Sequence, residues 1–184
     1  GMVVGRAAGL WLVQHRAIRA VGLTGSLQAA RALEEAIQHR SAPIPLFGEL
    51  SSINPIVITP SALGGDTSEI AGALGEAITA SGGQLCTKPG LIFVPAGFQG
   101  DDLVRHLSTI VADSPPTYLL SDGIRRSFLR GVDRLMVAGA RVVGGEVRRP
   151  SEGTQVHPVL LECGTPDLAA PLDEECFEIG RAHV

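Results

Sequence analysis

Three short stretches carry side chains capable of chemistry. The first is GGQLCTKPG, residues 82–90, which sets Cys86 between a glycine pair and a Lys-Pro-Gly turn. A thiol displayed on a loop is, once ionised, a strong nucleophile. The competing reading is a small core residue, because free cysteine is among the most buried residue types. The stretch before it reads as a helix that ends near Cys86, so the negative helix end disfavours a thiolate and activation has to come from elsewhere. The second stretch is PLFGEL, in which Glu49 closes an apolar run ahead of two serines. A carboxylate there is either a solvated strand end or a base aimed into a cleft. The third is TGSLQAA, residues 24–30, where an apolar run enters Gly25-Ser26 and then a helical pattern. Such a junction offers backbone N–H groups and a positive helix end to a phosphate, and serves equally well as a simple cap. It is neither the G-x-G-x-x-G fingerprint nor a P-loop. Taken singly, each stretch leaves both readings open.

The elements that must hold these residues alternate along the chain. AVGLT (20–24) is a short apolar run, followed by GSLQAARALEEAIQHR (25–40), whose Leu27, Ala30, Leu33, Ala36 and Ile37 share one helical face behind a Ser26 cap. APIPLFGEL (42–50) and NPIVITP (54–60) read as strands bracketed by proline or glycine. DTSEIAGALGEAITASGG (66–83) places Ile70, Ala73, Leu74, Ala77 and Ile78 at helical spacing, with Asp66 or Thr67 to start the helix and Gly82 to stop it. LIFVP (91–95) is a strand directly after the Cys86 loop. Residues 100–113 and 122–139 are helical in pattern, 140–145 and 157–163 strand-like, and the glycines of VVGGE (142–146) read as a turn. This alternation predicts an α/β fold with a largely parallel sheet.

Composition narrows the function classes. With 45% hydrophobic and 18% charged residues, the 184-residue chain has the makings of a packed core. The net charge is -4, and of the 15 Lys and Arg residues only Lys88 is a lysine, so no basic run tracks phosphates; with 4% aromatics there is no stacking platform either, and nucleic acid is not an expected partner. No apolar run approaches a bilayer span, so no membrane is expected. Cys86, Cys163 and Cys176 show no C-x-x-C spacing, which fits a reducing cytoplasm rather than a disulfide framework or zinc site. His15, His39, His106, His157 and His183 lack paired ligand spacing, and no metal is assigned.

In order, GLTGS (22–26), GELSSINP (48–55) and GGQLCTKPG (82–90) resemble the ordered motif set of the aldehyde dehydrogenase superfamily. The SINP and CTKPG variants are similar to the branch containing α-ketoglutarate semialdehyde (2,5-dioxovalerate) dehydrogenases and related NADP-linked enzymes. The resemblance implies the parallel-sheet fold of that family and oxidation of an aldehyde, such as a short polar semialdehyde, to the acid with NADP or NAD. It makes Cys86 the catalytic thiol and Glu49 the base that activates water. Gly25 and Ser26 become the turn at the cofactor pyrophosphate, and the Leu50 backbone lies beside the nicotinamide. EECF (174–177) matches the start of a Glu-Glu-x-Phe-Gly-Pro motif, with Glu175 at the nicotinamide ribose and Phe177 beside the ring. ELSS stands where Glu-Leu-Gly-Gly is commoner, and GSLQAA lacks a glycine often found further into the helix; neither change removes a reacting group.

On the same basis residues 1–49 are expected to be the end of the cofactor domain and 50–177 most of a catalytic domain. EIGRAHV (178–184) departs from the family and reads as a non-native tail, the whole chain being an internal fragment, expected to be inactive by itself, of a parent that forms a homo-oligomer. Two alternatives stand beside this reading. One is a coenzyme A-acylating relative, against which Glu49 speaks; the other is a non-catalytic structural or binding protein on the same scaffold, against which Cys86 speaks.

Overall fold

The computed structural model describes residue 2, residues 5–149 and 153–164, and the backbone of 180–183. The chain divides into two compact units, Gly1–Ser51 and Ser52–Val184.

The first unit contains α1 (Arg6–Gln14), β1 (Val21–Thr24), α2 (Leu27–Gln38) and β2 (Leu46–Glu49). β1 and β2 pair in parallel, in register from Val21 opposite Leu46 to Thr24 opposite Glu49. α2 starts where the sequence places its cap: the Ala29 N–H donates to Ser26 Oγ at 3.2 Å. Its face turns Ala36 and Ile37 into a small cluster with Val13, bordered by Leu10, Val21, Leu33, Ile44 and Leu46, while Leu27 stays exposed. α1 was not anticipated, and its start explains why: it follows Gly5 at φ 100 with no side-chain cap. Arg40 supplements this thin core. Its guanidinium donates to the carbonyls of Val13, His15, Ile18 and Ala42, tying the end of α2 to the turn after α1.

The second unit runs β3 (Pro55–Val57), α3 (Thr67–Thr79), β4 (Leu91–Phe93), α4 (Phe98–Asp113), β5 (Thr117–Tyr118), α5 (Asp122–Val137), β6 (Arg141–Gly145), β7 (Gln155–Val156), β8 (Val159–Cys163) and β9 (Gly180–His183). Five strands form one sheet in the order β3-β4-β9-β8-β6, parallel throughout except for the β6–β8 pair, as a largely parallel α/β fold requires. β5 and β7 make a separate antiparallel ribbon.

Alternation along β8 sorts the core into two layers. Val159, Leu161 and Cys163 pack with Phe128, Leu129, Val132 and Leu135 of α5 on one face. Leu160 packs on the other with Ala71, Leu74 and Ile78 of α3 and with Leu103, Leu107 and Val111 of α4. The sheet is therefore covered on both faces, each buried aliphatic side chain contributing about 1.5–3 kcal/mol.

Two details differ from expectation. In α3 the buried stripe is Thr67, Ala71, Leu74, Gly75 and Ile78, whereas Ala73 and Ala77 are exposed. α4 crosses at Gly75, where an added Cβ would lie 2.5 Å from Ile110 Cγ2, so closest helix contact selects the smallest residue rather than the more apolar one. Gly144 and Gly145 lie within β6, not in a turn; the register shifts between Val142 and Gly144. Gly180–His183, within the segment read from sequence as a non-native tail, pairs by its backbone with β4 and β8 at the middle of the sheet.

Candidate active site

In the first unit the predicted residues gather at one end of the β1–β2 pair. Gly25 and Ser26 follow the last residue of β1, and Glu49 is the last of β2 with Leu50 next to it. The Gly25 N–H donates to the Glu49 carbonyl at 3.0 Å, so the register itself holds the two turns side by side. Carboxyl ends of parallel strands are where open α/β sheets bind ligands. α2 begins there with no acidic residue in its first turn, and the Ser26 side chain satisfies Ala29. That leaves the Leu27 and Gln28 N–H groups without intrahelical acceptors, beside a residue that has no Cβ, an arrangement suited to an anion such as a cofactor phosphate. The Glu49 side chain is exposed, and no hydrogen bond from the described residues of its unit fixes the carboxylate.

Cys86 belongs to the second unit. α3 ends at Thr79, a tight turn of Ala80–Gly83 follows with Ser81 and Gly82 at positive φ, and β4 opens at Leu91. Between them Leu85, Cys86 and Thr87 are exposed, whereas Lys88, Pro89 and Gly90 are buried. The core reading of Cys86 is therefore set aside, and it is Cys163 that packs in the interior.

The thiol loop is exposed but firmly held. The Lys88 N–H donates to the Leu85 carbonyl at 3.1 Å and closes the turn around Cys86. Gln84 grips the end of β5 and the residues just after it: its Oε1 accepts from the Leu120 N–H at 2.9 Å and its Nε2 donates to the Tyr118 carbonyl at 3.2 Å. On the other side the Cys86 carbonyl accepts from Ser52 Oγ at 2.8 Å and Asn54 Nδ2 at 2.6 Å, and Asn54 Nδ2 also donates to the Lys88 carbonyl at 3.1 Å. The Gly90 N–H donates to the Ile53 carbonyl at 2.8 Å; a Cβ at position 90 would lie 2.7 Å from that oxygen, so only glycine admits the approach. No acceptor among the described residues takes the Cys86 N–H, which remains able to donate to a bound oxyanion.

Ser52, Asn54 and Gln84 were given no role from sequence. Asn54 precedes a proline and holds φ 46, a turn signal that the dipeptide carries; its contacts span more than thirty residues, and nothing local encodes them. Glu175 and Phe177 lie outside the described residues. Among the described residues no group of three or more His, Cys, Asp or Glu could hold a metal ion, and no helix is long and apolar enough to cross a membrane.

α-Ketoglutaric semialdehyde dehydrogenase 2 of Azospirillum brasilense is 37% identical over 90% of this chain and 32% of its own length. α-Ketoglutaric semialdehyde dehydrogenase of Acinetobacter baylyi is 36% identical over 73% of this chain and 26% of its own. The chain thus spans about a quarter to a third of these relatives. Among solved structures, the NADP-dependent glyceraldehyde-3-phosphate dehydrogenase of Bacillus halodurans superposes with a TM-score of 0.74 at 22% identity, covering 98% of this chain and 38% of that one, a likeness of fold. The family profile described as the aldehyde dehydrogenase family matches residues 2–177, motif strands and thiol loop included. This chain belongs to the aldehyde dehydrogenase family.

Proposed function

We propose that this chain supplies the nucleophile and the general base of an enzyme that oxidises a short polar semialdehyde of the α-ketoglutarate semialdehyde class to its acid, with NADP or NAD. The observation that carries the reading is the Cys86 loop: an exposed thiol whose own carbonyl accepts from Ser52 and Asn54, in a loop anchored by the Gln84 side chain to Leu120, with the Cys86 N–H available. The names of the two curated relatives support the substrate class. Residues 1–49 act as the end of the cofactor-binding part and 50–177 as the thiol-bearing part.

Each step draws on named groups of this chain. The Cys86 thiolate attacks the aldehyde carbon, and the Cys86 N–H stabilises the oxygen as it becomes anionic; donors fixed in advance cost no reorganisation at that moment. Gly25, Ser26 and the start of α2 would hold the cofactor phosphates, and the oxidised nicotinamide supplies the two-electron acceptor that makes the thioester accessible. Glu49 then takes a proton from water, the hydroxyl adds to the thioester carbon, and the Cys86 thiolate leaves as the acid forms.

A panel of semialdehydes, long-chain aldehydes and aromatic aldehydes, each with NADP and with NAD, tests this reading on the whole enzyme that contains this chain, by following cofactor reduction. Turnover on short polar semialdehydes that disappears in Cys86→Ala is the expected result. Turnover confined to long-chain or aromatic aldehydes would overturn the substrate class, and turnover retained in Cys86→Ala would overturn the nucleophile.

A further inference from the structure

We infer that Ser52 and Asn54 form a positioning clamp on the peptide that follows the Cys86 thiol, a role that rests on Cys86 being the nucleophile. Both side chains converge on one oxygen, the Cys86 carbonyl, at 2.8 and 2.6 Å. Fixing that carbonyl fixes ψ of Cys86, and with it the direction in which the Cα–Cβ bond presents the sulfur. The second hydrogen of the Asn54 amide reaches the Lys88 carbonyl at 3.1 Å, so one side chain spans the turn that carries the thiol. With two carbonyl oxygens facing it, the Asn54 amide has to present nitrogen rather than oxygen there.

The clamp is preset by its own backbone. Asn54 adopts φ 46, a conformation that asparagine tolerates better than most residues, and the Ile53–Gly90 hydrogen bond brings the two segments together. Ser52 Oγ lies 3.3 Å from Asn54 Nδ2, which joins the two donors into one unit. Ser52 stands where the commoner form of the motif has a glycine, so this chain has a donor on the Cys86 carbonyl that such a motif would not supply. The two contacts on the Cys86 carbonyl are exposed and the other two only partly buried. Water can therefore replace a lost donor in energy but not in direction, and the consequence falls on alignment more than on folding.

Ser52→Ala, Asn54→Gly and the double variant test the clamp, glycine being chosen because it keeps φ 46 without strain. Hydrogen exchange on the full chain should show the Lys88 and Gly90 amides exchanging about 2- to 12-fold faster in each single variant and faster still in the double, with amides of α4 and β8 unchanged. Aldehyde oxidation should lose about 2- to 12-fold in kcat with little change in KM, and Ser52→Thr, which keeps the hydroxyl, should recover it. Alkylation of Cys86 by iodoacetamide, which can approach from any side, should change far less than kcat. Unchanged exchange at Lys88 and Gly90 in the double variant, or faster exchange throughout the second unit, would overturn the clamp. Cys86→Ala assayed alongside separates the two levels. If it is inactive while the clamp variants keep wild-type kcat, the clamp alone falls; if it keeps turnover, the nucleophile reading falls and the positioning role with it.

Discussion

The two groups assigned to the chemistry are both exposed, but the chain holds them differently. Around Cys86, the side chains of Ser52 and Asn54, distant in sequence, grip the main chain on one side, and the loop's own Gln84 reaches out to the main chain of Tyr118 and Leu120 on the other. Glu49 is placed by strand register, through the Gly25 N–H on its carbonyl, and no hydrogen bond from the described residues of its unit fixes its carboxylate. The difference suits the two tasks proposed for them. A nucleophile must meet a carbon along one line of approach, whereas a base that removes a proton from water can act over a range of positions. The frames differ in the same sense. The second unit has apolar layers on both faces of its sheet, and the first has one small cluster supplemented by Arg40.

The largest expected effect breaks the comparison at the thiol. Cys86→Ala removes the proposed attacking atom, and neither reduced cofactor nor acid should form above the uncatalysed rate in an assay of both products. Any acid formed in proportion to reduced cofactor would show that another group attacks. Next in size, Glu49→Gln keeps shape and polarity but cannot accept a proton. Steady-state turnover should fall by about 10²–10⁴, while stopped-flow still records a first burst of reduced cofactor. A lost burst would mean that Glu49 also activates Cys86, which would place the two groups under one geometric constraint and undo the contrast drawn above.

The remaining predictions sharpen the contrast between the frames. Arg40→Gln should destabilise the first unit by about 1.5–3 kcal/mol, since charge-assisted donation to the carbonyls after α1 is lost. Urea unfolding read by Trp11 fluorescence would measure it, and an unchanged midpoint would remove Arg40 from the frame. In the second unit Thr67 Oγ donates to Asp102 at 2.5 Å, joining the start of α3 to α4. That hydrogen bond is the main cause that holds the Asp102 carboxyl below the usual range, helped by Arg105 and His106. A depressed folded pKa means that the stabilisation is present above the unfolded value and is lost as pH falls through the folded one. Thr67→Val should therefore be slightly less stable than wild type at neutral pH, and the gap should close in acid below the Asp102 pKa. A gap that persists at low pH would assign the effect to packing instead.

Much of the frame was legible because it is local. The Ser26 cap, the Ala30–Ala36–Ile37 stripe and the apolar β8 all follow from spacing that a single element must satisfy. The site was legible only as a resemblance: Gly25, Glu49 and Cys86 stand in three recognisable motifs, yet each taken alone fits a bland role. What could not be read depends on partners. α3 turned its stripe toward Gly75 because α4 approaches there, and the two-residue β5 and β7 exist only by pairing with each other. Ser52 read only as a small residue after Glu49 and Asn54 only as the start of a strand, and their hold on the thiol turn spans more than thirty residues.

The claim that Cys86 attacks and Glu49 releases is tested most directly by trapping the intermediate. Glu49→Gln protein, mixed with a short semialdehyde and oxidised cofactor and quenched in acid during the burst, should carry the acyl mass on the peptide containing Cys86, in an amount matching the reduced cofactor formed. A burst of reduced cofactor with Cys86 unmodified, or an acyl group on any other residue, would contradict it.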